Sequence, residues 1–333
     1  MRIYLLLIPF CLFSVRVMQA QDNRAVRADT VNNLVHTLNY KSSGTNELPE
    51  YAKYGNGQKS LLLIPGLGFD ASVFDDFIKA TQTDFTIYVV TLPGFGKTKS
   101  PEMPAAGTSY GQHSWSRSAE EGIMKLIEKE KISRPVLVGH FVSGTQIATE
   151  IAARYPKRIG GLILIGGAVK FISMEGDQSK DYDVADVIRF TDNYTAPVMF
   201  KRISKSAWDA GNYLPEVYSM DSTTGNKLWE ISAAVPLPVM IRYLCEYIAS
   251  DVSTYFNELQ CPVLVLRPTF TPGILENPVN NYIRPQFINK WDSVKSLNGA
   301  VRVIDIDKAG VFVWKDAPDK TYSEIKKFVS STR

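Results

Sequence analysis

The chain of 333 residues is long enough for one large domain or two average ones, and 45% hydrophobic and 21% charged residues are an ordinary balance for a globular protein. The formal net charge of +3 is small and no block of lysine and arginine stands out, which argues against nucleic acid or an anionic membrane as the main partner. Three histidines and three cysteines without metal-ligand spacing lead us to expect neither a metal nor a cofactor.

The first twenty residues have the pattern of an export signal. An apolar run from Ile3 to Val15 follows a single arginine, and polar residues begin at Gln21. A short positive start, a hydrophobic run of about a dozen residues and a small residue at the break predict a secretory signal peptide over residues 1–20. We therefore expect an exported protein, periplasmic or secreted, without a membrane span once the signal is removed; an uncleaved anchor is the alternative.

Removal of the signal would leave two cysteines, Cys245 and Cys261. An oxidising compartment would permit them to form a disulfide. Two small buried thiols are an equally compatible and simpler interpretation.

Short apolar runs without polar alternation follow one another along the chain, as in strands of a parallel sheet that is covered on both faces. The runs are 60–64, 86–90, 135–138, 161–165, 262–266 and 301–306. Helical spacing of apolar residues separates them, most clearly at 115–127, 147–152 and 322–329. Ser114 is the expected N-cap of the first of these helices. Strands alternating with helices predict an α/β fold with a doubly wound, mostly parallel sheet.

Residues 169–250 interrupt this alternation and predict a mostly helical lid inserted into the sheet domain. The core would then comprise residues 21–168 and 251–333. The insertion carries Trp208 and Trp229 together with several tyrosines. We expect these aromatic side chains to pack against one another rather than to form a ligand cage.

The order of these elements resembles the α/β-hydrolase family over nearly all of the chain that follows the signal. The motifs that carry the resemblance are Pro65–Gly68, Leu92–Gly96, Val136–His140, Ala152–Ile159 and Cys261–Leu266. Each motif alone is weak, whereas their order and spacing together are specific. The resemblance implies the fold of that family, with a ligand crevice outside the carboxyl ends of the strands.

The same resemblance places the family's catalytic triad on residues that lack its chemistry. The nucleophile of the family belongs to a G-x-S-x-G turn, and here residues 139–144 read GHFVSG, so that the position falls on Phe141. The acid falls on Thr271 and the histidine on Val311. A phenyl ring cannot attack an acyl carbon, and neither a hydroxyl nor an isopropyl group can replace a carboxylate or an imidazole. We therefore expect no Ser-His-Asp machinery.

The backbone groups of the site do not depend on the identity of these side chains, so they remain when the side chains are replaced. By resemblance, the N–H groups of Leu67 and Val142 would form an oxyanion-hole-type pair that could hold a carbonyl or carboxylate oxygen. Bound water is the simpler alternative. The side chains expected to line the crevice and make it apolar are Phe141, Phe270, Val311 and Phe312.

Three residues are weak substitutes for the missing groups. Ser143 is the hydroxyl nearest the turn, His113 lies in a polar loop, and Asp307 follows the last strand. A serine in the first turn of a helix usually bonds locally, and a loop histidine is usually solvated. His140 is expected to pack beneath the turn, as it does in the family.

Two functions from different classes remain open. The first is an exported, non-hydrolytic member of the family that binds a small apolar ligand or a protein partner. The alternative is an enzyme of the family that acts on an ester, acyl or other small substrate through non-standard groups.

Overall fold

A computed structural model describes residues 48–171 and 183–332 of the protein. The predicted signal peptide and residues 21–47 of the predicted core lie outside these ranges, as do residues 172–182 of the predicted insertion.

A seven-stranded sheet forms the centre of the molecule. The strands are β1 (Glu50–Tyr54), β2 (Lys59–Ile64), β3 (Phe85–Thr91), β4 (Val136–His140), β5 (Gly161–Ile165), β6 (Val263–Pro268) and β7 (Val301–Ile306). Their order is β1-β3-β2-β4-β5-β6-β7, with β1 antiparallel to β3 and every other pair parallel. The six predicted strands and the mostly parallel sheet are therefore confirmed. β1 was not predicted, because this edge strand is largely exposed and lacks a continuous apolar run.

Helices cover both faces of the sheet and fill the connection between β5 and β6. They are α1 (Asp75–Thr81), α2 (Ser114–Lys129), α3 (Phe141–Arg154), α4 (Val184–Phe190), α5 (Ala196–Arg202), α6 (Lys205–Gly211), α7 (Pro215–Tyr218), α8 (Ser222–Ala233), α9 (Leu237–Ile248), α10 (Pro272–Leu275), α11 (Lys290–Leu297), α12 (Val313–Asp316) and α13 (Pro318–Ser331). Short 3-10 turns lie at Ala71–Phe74, Tyr110–Gln112, Val252–Asn257 and Pro278–Asn280, and π-helical turns at Thr191–Thr195 and Arg284–Asn289. The three helices predicted from apolar spacing correspond to α2, α3 and α13.

The start of α2 differs from the prediction. His113 is the N-cap, with a left-handed backbone (φ 52°) and no side-chain cap bond, so the prediction that Ser114 caps the helix is wrong. A carboxylate from α9 supplies the cap instead: Glu246 accepts the N–H groups of Trp115 and Ser116 at 2.9 and 2.8 Å. Local sequence could not reveal a cap that lies about 130 residues further along the chain.

The helices α4 to α9 form a single insertion between β5 and β6, from Val184 to Ile248. It is called the insertion below. Among the described residues no single helix is long and apolar enough to cross a membrane, and α8 and α9 reach that length and composition only as a pair bent by 101°. Cys245 and Cys261 are both buried and form no disulfide, so the interpretation as two buried thiols is confirmed and the disulfide alternative is wrong.

Candidate functional site

The turn between β4 and α3 keeps a strained backbone around a side chain that carries no reactive group. Phe141 has φ 53°, a conformation that non-glycine residues rarely adopt. Two glycines make room for the turn. A Cβ on Gly144 would lie 2.5 Å from the carbonyl oxygen of Ile64, and one on Gly66 would lie 2.4 Å from the Cβ of Phe141. The sharp turn at residues 139–144, called the elbow below, is therefore present, with a phenyl group at its apex.

The ring of Phe141 packs among other aromatic rings. It stacks on Phe287 with centroids 5.8 Å apart and meets Phe69 edge-on at 6.3 Å. Beneath the elbow, the imidazole of His140 is fully buried with its centroid 4.2 Å from that of Phe312. Burial lowers the pKa of His140 to about 3, so the ring is neutral near pH 7. The expectation that His140 packs beneath the turn is confirmed.

Thr271 and Val311 follow β6 and β7 at the same edge of the sheet as Phe141. Thr271 precedes α10 with an extended backbone, and its hydroxyl makes no cap bond. Val311 is fully buried, and its N–H donates to the carbonyl oxygen of Val217 in α7 at 2.9 Å. The segment that follows β7 is thus bound to the insertion through backbone groups.

Asp316 adds further hydrogen bonds between the insertion and the loop that follows β7. Its carboxylate accepts the Ser219 hydroxyl at 2.6 Å and the N–H groups of Met220 and Gly310 at 3.1 and 2.8 Å. Gly310 needs to lack a side chain, because a Cβ there would lie 2.7 Å from the backbone of Tyr218. The end of α7 is therefore held against the loop that follows β7.

The three residues proposed from sequence as substitutes lie in three different surroundings and do not form a common reactive site. Ser143 is buried, and its hydroxyl has no hydrogen-bond partner among the described residues. Asp307 is exposed and 3.9 Å from Lys320 on the surface. The expectation of a solvated His113 is wrong, because this residue is buried with Nδ1 3.4 Å from Glu150 and Nε2 3.1 Å from the Ala249 carbonyl. None of the three borders the cavity described next.

A cavity of about 250 Å³ lies between the elbow and the insertion. Most of its wall is apolar or aromatic, and it combines residues from both parts of the chain. Its lining includes Leu67, Phe141, Val142, Phe171, Met199, Ile203, Trp208, Asp209, Asn212, Leu214, Val217, Tyr218, Trp229, Ser232, Ala233, Met240, Leu244, Tyr247, Ile248, Tyr282, Gln286 and Phe287. No described residue in this wall is a histidine, a cysteine, a lysine or an arginine.

The residues predicted to line the crevice are divided between the wall of this cavity and the packing around it. Phe141 borders the cavity, as do Leu67 and Val142, the residues whose N–H groups form the predicted oxyanion-hole-type pair. The other three side chains predicted for the wall are buried and are not among the residues that border the cavity. These are Phe270, Val311 and Phe312.

Sequence reasoning missed the contribution of the insertion to the wall. Trp208 and Trp229, which were expected from the sequence to pack rather than to form a ligand cage, border the cavity. Tyr218, Ser232 and Tyr282 also border the cavity. The aromatic content of the insertion was the available signal, but no local motif marks which rings face inward.

The parallel sheet, the sharp turn after β4 and the cavity at that edge together define an α/β-hydrolase fold. A sequence profile of the alpha/beta hydrolase family matches residues 61–324, and the protein belongs to that family.

Comparison with curated proteins gives partial matches. The chain is 27% identical over 117 residues to a pimeloyl-[acyl-carrier protein] methyl ester esterase of Wigglesworthia glossinidia brevipalpis, covering 35% of this chain and 39% of that protein. It is 30% identical over 104 residues to the abhydrolase domain-containing protein abhd-5.2 of Caenorhabditis elegans, covering 31% of this chain and 22% of that protein. The chain therefore spans about two fifths or less of the length of these relatives.

Solved structures match over a larger share of the chain. An enol-lactonase from Burkholderia xenovorans LB400 superposes with a TM-score of 0.60 at 14% identity, covering 85% of this chain and 96% of that one. The esterase EaEST from Exiguobacterium antarcticum gives a TM-score of 0.62 at 14% identity, with coverages of 84% and 95%. At this identity the likeness concerns the fold alone.

Proposed function

We propose that the protein binds a small, mostly apolar molecule in the cavity beside Phe141 and does not hydrolyse it. The observation that carries the proposal is the phenyl ring at the apex of the strained elbow. A left-handed backbone at a bulky residue costs on the order of 1–3 kcal/mol and persists only where the surroundings impose it. The elbow is kept, while the group it presents to the cavity cannot form an acyl intermediate.

The size and the wall of the cavity favour a small molecule over a protein partner. An apolar cavity of roughly 150 Å³ holds benzene, so one of about 250 Å³ suits a ligand of about ten non-hydrogen atoms. Trp208 and Trp229 supply large apolar surfaces to its wall. The backbone N–H groups of Leu67 and Val142 are available in our proposal to bind a ligand oxygen.

Ester hydrolysis is the second candidate, and the similarity to the pimeloyl-[acyl-carrier protein] methyl ester esterase favours it. Such an activity would need a nucleophile other than Phe141. Ser232 is the serine that borders the cavity, but it lies near the end of α8 rather than on the elbow. Without an imidazole in the described wall, this hydroxyl has no base to activate it.

The proposal is tested by measuring turnover of p-nitrophenyl esters from acetate to octanoate. We expect no turnover above that of buffer, since no described residue that borders the cavity is an activated nucleophile. Ser143→Ala and Ser232→Ala are the matched variants. Turnover by the wild-type chain would contradict the proposal, and its loss in one variant would identify the nucleophile.

We also propose that the protein acts after export. The apolar run from Ile3 to Val15 and the polar residues from Gln21 support this. Mass spectrometry of the intact protein from a bacterial periplasm or medium should give a chain that begins near Gln21. A full-length chain retained in the cytoplasm would contradict it.

A further inference from the structure

The last helix of the insertion, α9, borders the cavity on one face and meets α2 on the opposite face. Met240, Leu244 and Tyr247 are among its residues on the cavity side. Glu246 lies on the other side, where its carboxylate accepts two N–H groups from the first turn of α2. A change in how α9 is held against α2 and α3 therefore changes the wall of the cavity.

His113 connects the C-terminal end of α9 to α3. The residue immediately precedes α2, and its side chain is buried. Its Nε2 lies 3.1 Å from the carbonyl oxygen of Ala249, the residue that ends α9. Its Nδ1 lies 3.4 Å from Oε1 of Glu150 in α3. Each nitrogen of this one imidazole ring therefore faces an oxygen atom of a different helix.

Both contacts are favourable only while the ring of His113 carries two protons. A protonated imidazole donates from both nitrogens, whereas a neutral ring donates from one and has a lone pair on the other. If the remaining proton stays on Nε2, the lone pair of Nδ1 faces the Glu150 carboxylate. If it stays on Nδ1, the lone pair of Nε2 faces the carbonyl oxygen of Ala249. Because the site is buried, either arrangement is unfavourable, and loss of a proton breaks one of the two contacts.

The groups around His113 together favour its protonated form. The charged and titratable side chains around His113 and Glu150 are Arg117 and Glu120 of α2, Arg154 of α3, Arg242 and Glu246 of α9, and Tyr255 of the 3-10 turn that follows α9. Burial opposes the charge on His113, but Glu150 and then Glu246 raise its pKa above the ordinary value. Burial also opposes the charge on Glu150, but His113 lowers the pKa of this carboxyl group, so it stays ionised. Tyr255 stays neutral, because burial raises its pKa to about 12.

We propose that His113 is a pH-sensitive switch of the cavity: its protonated ring holds the C-terminal end of α9 against α3, and loss of the proton releases that end and weakens ligand binding. The inference rests on the proposed function, since it concerns the regulation of the same cavity. The affinity is highest at low pH and falls as the pH rises through the pKa of His113 in the folded protein. By linkage, a bound ligand raises that pKa in turn.

The probe is naphthalene, which is apolar, does not titrate and has about the number of carbon atoms that a cavity of about 250 Å³ holds. Its dissociation constant is measured by equilibrium dialysis at pH 6 and at pH 9. We expect binding to be about three- to tenfold weaker at pH 9, the loss that corresponds to one hydrogen bond. Most of this difference should disappear in His113→Asn, because asparagine tolerates the left-handed backbone at this position but does not titrate.

Two further variants separate the switch from a general effect of pH. Glu150→Gln should move the change in affinity to lower pH, since a glutamine amide can donate to Nδ1 of the neutral ring. Lys131→Asn is the matched control, because it places asparagine at another left-handed residue (φ 50°), which is exposed just beyond the C-terminal end of α2. This control should keep the full pH dependence of the wild type.

Amide hydrogen exchange without any ligand tests α9 directly. After correction for the intrinsic exchange rate, the amides of residues 245–249 should be less protected at pH 9 than at pH 6 in the wild type, and equally protected at both in His113→Asn. Equal affinity of the wild type at the two pH values, or a pH dependence that His113→Asn retains, would overturn the inference while leaving ligand binding intact. If naphthalene binds at neither pH, the proposed function fails. Loss of protection in α9 would then still support the switch, and unchanged protection would refute it as well.

Discussion

At the scale of the residue, Phe141 shows that the conformation and the chemistry of the elbow are separable. The positive φ and the close approach of Gly66 and Gly144 belong to the backbone. The reactive group would belong to the side chain alone, and a phenyl ring in contact with Phe287 takes its place. The spacing of small residues at positions 139–144 was enough to predict the turn, although the approach of Gly66 comes from a different loop.

Placing a hydroxyl back on the elbow tests whether the rest of the site could use it. We expect Phe141→Ser to leave ester turnover at the level of buffer, because Thr271 and Val311 cannot activate a serine. The imidazole of His140 is buried beneath the turn and its pKa is about 3, so it is a poor base. The assay is p-nitrophenyl butyrate hydrolysis, with urea unfolding to confirm that the variant folds despite losing the packing of the phenyl ring. Turnover at least tenfold above that of the wild type would show a functional base.

His113 has a different role from the one expected of it, since it belongs to a buried ionic cluster. Its neighbours are Glu150, Glu246 and, through Glu150, Glu120. Burial opposes the charge on His113, but Glu150 and then Glu246 raise its pKa above the ordinary value. Burial and the nearby Glu150 raise the pKa of Glu120 as well.

This cluster predicts a stability that falls as the pH rises. A histidine whose pKa is raised on folding stabilises fully below its unfolded pKa of about 6.5, and this stabilisation is lost as the pH rises through the folded pKa. The free energy of unfolding should therefore fall between pH 6 and pH 9, as measured by urea unfolding. The raised pKa of Glu120 also makes the free energy of unfolding fall as the pH rises.

His113→Asn is the matched variant, because asparagine tolerates the left-handed backbone at this position. The decrease of the unfolding free energy with pH should be smaller in the variant. An equal decrease in both proteins would show that His113 is not its source.

At the scale of the element, α2 and α9 are joined by a cap that comes from outside the capped helix. Glu246 accepts two N–H groups at the start of α2 and pairs with Arg242 at 2.7 Å, with both side chains buried. The positive end of the helix dipole favours this carboxylate. The guanidinium of Arg242 also lies 4.3 Å from the ring centroid of Tyr110.

Replacing the Glu246 carboxylate by a neutral group should therefore destabilise the protein. We expect Glu246→Gln to lower the free energy of unfolding by about 3–5 kcal/mol, because it leaves the charge of Arg242 buried without its partner. The double variant Glu246→Gln with Arg242→Met removes that charge and should be less destabilised than the single variant. The free energies of unfolding of the single and the double variant are compared by urea unfolding. A loss below about 1 kcal/mol in the single variant would contradict the assigned role.

The elements also show what the sequence could and could not predict. Buried strands such as β4 and β5 are continuous apolar runs, so their pattern alone identified them. β1 and the cap on α2 depend on partners far along the chain. The same holds for the site: the elbow is local, whereas Tyr218, Ser232 and Tyr282 meet only after folding.

At the scale of the whole molecule, the cavity exists because the insertion is fixed over the carboxyl edge of the sheet. Val217 and Tyr218 accept backbone N–H groups from Val311 and Phe312, and Asp316 binds the end of the same segment. The wall is thus divided between a sheet domain that supplies the elbow and an insertion that supplies most of the apolar surface. Under our proposal, this division allows the fold to retain a ligand site after losing the chemistry at its apex.

Equilibrium dialysis against methyl octanoate, with mass spectrometry of the ester afterwards, tests the central claim most directly. The account predicts that the ester is enriched on the protein side, up to one molecule per chain, and is recovered intact. Recovery as octanoate and methanol would contradict the absence of hydrolysis. Equal ester concentrations on both sides would contradict binding in the cavity.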